Sequence, residues 1–97
     1  MPPLVQPDKK KGLAHIASKV LNVYKGLGLE NQSALKGARL FINKLAHDDY
    51  LSINGEGIVV KLEHYNQQIE TLLEFEVIEL EGEFEEDGST YLSYVFL

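Results

Sequence analysis

The residues able to do chemistry are few and scattered. His15, His47 and His64 fall on three different predicted elements without an H-x-x-x-H spacing, and the chain has no cysteine. A metal site needs converging ligands, which one turn of helix or a thiolate pair usually provides. His47-Asp48-Asp49 sets an imidazole beside carboxylates, but at a predicted helix C-terminus such residues serve the boundary and the turn after it. Ser18, Ser33, Ser52, Ser89 and Ser93 lie in no nucleophile elbow. Gly26-Leu27-Gly28 follows a helix rather than a strand, and Gly55-Glu56-Gly57 places an acid where a phosphate needs bare backbone. The expectation is a non-enzymatic protein with no cofactor and no metal.

What the chain has instead is charge sorted by position. Residues 1–47 carry eight of the nine Lys and Arg against Asp8 and Glu30, a balance of +6. Residues 48–97 carry Lys61 against thirteen acids, a balance of −12, and the two sum to the overall −6. Such asymmetry bears on partners rather than on fold. Glu70, Glu74, Glu76, Glu79, Glu81 and Glu83 form a row that alternation would place largely on one face of one long strand. Like charges about 7 Å apart there repel by tenths of a kcal/mol per neighbour, so the row needs a reason. One reason is to guard an exposed strand against edge pairing. The other is to receive a basic protein partner, where complementary charge raises association rate and selectivity. The acids are spread too evenly for an EF-hand loop.

The elements that must position these groups follow from periodicity. Leu13, Ile16, Ala17, Val20, Leu21 and Tyr24 keep one helical face over residues 12–25. A second helix is predicted over 32–47, capped by Asn31 or Ser33, with Leu35, Ala38, Phe41, Ile42 and Leu45 inward. Gly37 inside it marks either close approach of the first helix or a break. After His47 the period changes. Asn54-Gly55 between apolar runs predicts a two-residue type I′ hairpin. Residues 69–84 read as a strand with a bulge near Val77-Ile78, with a helix over 67–75 as the competitor. Asp87-Gly88 makes a turn into a terminal strand at 91–97. Residues 1–11, with Pro2, Pro3 and Pro7 ahead of three lysines, read as a flexible basic arm before a single domain over 12–97.

The resulting order is ααββββ, two N-terminal helices on a three- to four-stranded antiparallel meander of the α+β class. A helix pair followed by an Asn-Gly hairpin resembles, weakly, a winged-helix domain, with residues 53–58 as the wing. That resemblance implies nucleic-acid binding through Lys19, Lys36, Arg39 and Lys44, the alternative to the protein-binding reading. It departs from the pattern at Glu56, which puts an acid at the wing tip.

The remaining bounds are coarse. Ninety-seven residues, 44% of them hydrophobic, suffice for one modest core. No apolar run reaches the roughly 18 residues of a membrane span, and the start shows no signal-peptide pattern, so a cytoplasmic location is expected. An apolar terminal strand at a sheet edge would invite a homodimer through that strand. The sequence reading is thus a small acidic inhibitor- or regulator-like module for a basic partner.

Overall fold

In the computed structural model, which describes residues 7–97, eight elements follow one another. They are α1 (Pro7–Gly26), α2 (Asn31–Ala46), β1 (Leu51–Ile53), β2 (Gly57–Lys61), a 3₁₀ turn (Leu62–His64), α3 (Gln67–Glu74), β3 (Ile78–Glu86) and β4 (Ser89–Phe96). The α+β class is as expected: two N-terminal helices precede a four-stranded antiparallel sheet.

The first helix begins before its apolar stripe does. Pro7–Lys11, read from sequence as the end of a flexible arm, form its opening turns, and the rest of that arm lies outside the described residues. Proline suits a first helical turn, where its missing N–H has no partner to lose, and Asp8 meets the positive end of the helix dipole. The Lys9 ammonium then donates to the Ala46 carbonyl over 3.0 Å, tying the start of α1 to the end of α2. Gly12 seats α1 on the β1–β2 connection. A Cβ there would run into the Asn54 carbonyl and stand 2.6 Å from Ile53 Cγ2.

Of the two readings of Gly37, close approach is the one realised. The helix is continuous, and a Cβ at Gly37 would stand 3.0 Å from Cε2 of Tyr24 on α1. Neither Asn31 nor Ser33 is the N-cap; Glu30 holds that position in extended geometry, without a side-chain cap bond.

The strand expected from residue 69 is instead α3. The Asn66 side-chain oxygen accepts from the N–H groups of Gln68 (3.0 Å) and Ile69 (3.4 Å), satisfying two donors that a helix start leaves open. Ile69 and Leu72, one turn apart, are both fully buried. The cap and this spacing outweigh the alternation that follows. Glu76 closes the helix in the left-handed region at φ 59. Val77 N–H reaches the Leu72 carbonyl (2.9 Å) and Glu76 N–H the Leu73 carbonyl (3.1 Å). This is a Schellman termination with glutamate in the place glycine usually takes.

Inserting α3 reorders the sheet. The strands lie β1-β2-β4-β3 rather than as a simple meander. The passage through α3 starts β3 away from β2, and the tight β3–β4 hairpin returns the chain into the gap. β4 therefore pairs on both sides, with β2 through Gly57↔Val95 to Lys61↔Tyr91 and with β3 from Ile78↔Phe96 to Glu86↔Ser89. The terminal strand is central, so the edge on which the expected homodimer rested does not exist; the edges are β1 and β3.

The two hairpins also exchange geometries. Ile53 pairs with Ile58, leaving four residues between them, and neither Asn54 nor Gly55 has positive φ. Asn54 instead accepts from the N–H groups of Glu56 (2.7 Å) and Gly57 (2.9 Å), an Asx turn. The type I′ pattern of two positive φ values occurs at Asp87 (52°) and Gly88 (80°). The first hairpin is held between α1 and β4, so it is no projecting wing.

One cluster forms the core, joining Ile16, Val20 and Leu45 of the first two helices to Ile69 and Leu72 of α3 and Ile58, Val60, Leu92 and Tyr94 of the sheet. All the buried side chains of the sheet share one face. The molecule is 19 Å through its thinnest direction, room for these two layers and no third. No described helix is long and apolar enough to cross a membrane.

Candidate functional site

Strand alternation and register decide which side chains share the sheet face turned from the core. β2 contributes Val59 and Lys61, β4 contributes Tyr91, Ser93 and Val95, and β3 enters with Glu79 opposite Val95. A bulge then breaks the phase of β3: Leu80 pairs with Tyr94, yet Gly82 is already opposite Ser93. The extra residue shifts every later side chain to the other face. Phe84 thereby lands opposite Tyr91 and stacks on it, with ring centroids 5.2 Å apart and planes at 10°. Phe84 remains 42% exposed. Glu81 lies on the same face, where the Ser93 hydroxyl donates to its carboxylate over 3.4 Å.

The six glutamates of the sequence reading are therefore divided. Glu79 and Glu81 stay together on the open face. Glu83 pairs opposite the buried Leu92 and so turns to the helix side, beyond the core. Glu70 and Glu74 belong to α3, and Glu76 is its left-handed cap. Glu70 accepts a 3.3 Å bond from the Tyr65 hydroxyl. Burial, and then this carboxylate, pushes the Tyr65 phenol above its ordinary range, and burial does the same to Tyr94. The single acidic strand face expected from residue 70 onward is corrected to a shorter face bearing Glu79, Glu81 and Glu86, the last paired opposite Ser89.

What sequence missed is the aromatic pair between those carboxylates. Plain alternation puts Phe84 with Ile78 and Leu80 on the core side. Gly82, midway along an otherwise glutamate-rich strand, is the one local sign of the irregularity.

The basic set is elsewhere. Lys36, Arg39 and Lys44 are exposed on α2, and Lys19 is half-buried on α1. Among the described residues the ion pairs are Lys61–Glu63 (3.7 Å) and His64–Glu63 (3.8 Å), both within the 3₁₀ region. The helix cations thus do not neutralise the β3 carboxylates by direct contact.

The histidines have structural surroundings. His47 is the C-cap of α2, its Nδ1 2.8 Å from the Asn43 carbonyl oxygen. Asp48 accepts from Tyr50 N–H (3.0 Å) and from the Asn66 amide (2.9 Å), linking the end of α2 to the start of α3. His64 stacks on Tyr50 at 3.8 Å and His15 on Phe96 at 4.6 Å. Among the described residues no three His, Asp or Glu side chains converge as metal ligands. No family model matches this chain, and neither a curated protein nor a solved structure does.

Proposed function

We propose that this protein is a small acidic binding module, without enzymatic activity, that engages a basic protein partner through the open face of its sheet. The observation that carries the reading is the Phe84–Tyr91 stack flanked by Glu79, Glu81 and Glu86. Aromatic anchors surrounded by polar groups are where binding energy concentrates at interfaces. A stacked pair beside carboxylates suits arginine in particular, which can lie on a ring and bond a carboxylate at once.

The test is titration of the full chain with a fluorescein-labelled decapeptide of alternating Arg and Gly. Amide shifts should appear on β3 and β4. Glu79→Lys with Glu81→Lys should weaken binding at least tenfold, and Phe84→Ala should weaken it while leaving the salt dependence in place. Unchanged affinity in both variants would remove the sheet face from consideration.

A second reading is nucleic-acid binding, favoured by one observation: α2 carries Lys36, Arg39 and Lys44 and no acid at all. Its check is a mobility shift with duplex DNA at low salt, abolished by Arg39→Glu with Lys44→Glu. No shift by the parent protein ends that reading.

A further inference from the structure

The helix pair has a flank that the core covers only from within: Ala38 belongs to the core and Leu21 and Ile42 pack against it, while their outer side stays open. α1 turns Ile16 and Val20 into the core. On its next flank Ala17 and Leu21 face Leu35, Ala38 and Ile42 of α2 across an open groove of about 310 Å³, with Arg39 on its wall. Leu35 and Leu40 are 47% and 57% exposed, and a second depression of about 450 Å³ carries the apolar surface across α2 between them. Single exposed leucines are ordinary, but two beside an apolar groove make a continuous patch.

The charged side chains that line the two depressions, Lys36 and Arg39, have one sign. Residues 10, 14, 17, 21 and 25 lie along one stripe of α1, so Lys10 and Lys25 stand at the ends of the row holding Ala17 and Leu21. Lys36 and Arg39 border it on α2. Asp8 is the one acid of α1, and α2 has none.

We infer that this groove docks an amphipathic helix of a partner protein, one whose apolar stripe is flanked by Asp and Glu. Two antiparallel helices with small residues at the floor, Ala17 and Ala38, let a third helix approach closely. α2 alone, with its 16 residues, offers about 24 Å of track, more than four turns of such a helix. Apolar anchors at i, i+3, i+4 and i+7 fill a groove of this kind. The cationic border decides the sign of the flanks. A phosphate backbone would use the cations but leave the exposed Leu35 and Leu40 without a role.

The experiment uses the full chain and a fluorescein-labelled 16-residue peptide with leucine at i, i+3, i+4 and i+7 and glutamate elsewhere. Controls are the same composition with leucines scrambled and the version with lysine for glutamate. The Leu–Glu helix should bind at least tenfold tighter than either control, with amide shifts at Ala17, Leu21, Leu35 and Ile42. Leu35→Asn with Leu40→Asn, both at exposed positions, should cost about tenfold in affinity with the circular dichroism unchanged. Arg39→Glu should weaken the glutamate peptide and strengthen the lysine one. The inference is overturned by equal binding of the scrambled peptide, by shifts confined to the sheet, or by indifference to Arg39→Glu. It is also overturned by concentration-dependent self-association that Leu35→Asn removes, which would make the occupant a second copy. A duplex-DNA shift lost in Arg39→Glu but retained in Leu35→Asn would assign the surface to nucleic acid instead.

Discussion

Glu76 shows how one residue can contradict its apparent purpose. In the sequence it belongs to the acidic row; in the fold it is the left-handed cap that ends α3. That conformation costs an L-residue roughly 1–2 kcal/mol, against the roughly 0.5–1 kcal/mol of extra backbone entropy that glycine would lose. A carboxylate also sits badly at the negative end of a helix dipole. Glu76→Gly should therefore stabilise the protein by about 0.5–1 kcal/mol in urea unfolding, with Glu76→Gln between it and the parent. A less stable glycine variant would mean that the side chain makes a contact worth keeping. The row was legible as charge; that one member of it is a cap was not, because the Schellman bonds join backbone groups that any side chain could carry.

At the level of elements, α3 decides the architecture. Its formation depends on Asn66, whose oxygen satisfies the N–H groups of Gln68 and Ile69 while its amide donates to Asp48. Asn66→Ala removes all three bonds and should cost about 1–2 kcal/mol, the upper part of the range for N-caps. Asn66→Asp keeps the cap but sets a carboxylate against Asp48, and should recover only part of the loss. Equal stability of all three proteins would show that burial of Ile69 and Leu72 alone holds the helix. The signal for this cap was present in the sequence, as an asparagine just before an i, i+3 apolar pair. It competed with an alternating segment that begins four residues after the helix ends. The bulge had only Gly82 as a local sign, and the broken alternation places it near Val77-Ile78 rather than between Leu80 and Gly82, where it occurs. It depends on how β3 meets β4, and alternation within one strand carries no information about its neighbour.

Across the whole molecule, the basic helix pair and the acidic β3 edge remain electrostatically unspent on each other. β3 holds Glu79, Glu81, Glu83, Glu85 and Glu86 within nine residues, on an edge with no cation in ion-pair contact among the described residues. Self-repulsion there should make the protein salt-stabilised. Shortening the Debye length from about 30 Å at 10 mM NaCl to about 3 Å at 1 M should raise unfolding stability by on the order of 1 kcal/mol. Replacing Glu83 and Glu85 by glutamine should flatten that salt dependence. The same slope in parent and variant would mean that the edge charges are already relieved by solvent. The 19 Å thickness explains why such charge persists: with two layers, the outer face of the sheet and the outer flank of the helices both stay bare.

The amino-acid sequence by itself determined the α+β class, the two long helices and the division of charge between the halves. Each of these depends on residues near one another along the chain: an apolar stripe, a cap, a run of like charge. Tertiary structure alone decided that β4 is central and β3 an edge, and that a bulge groups Phe84 with Glu79 and Glu81 while turning Glu83 away. Strand order and register are set by hydrogen bonds between segments far apart in sequence, and a one-residue shift in that pairing changes the face of every side chain beyond it.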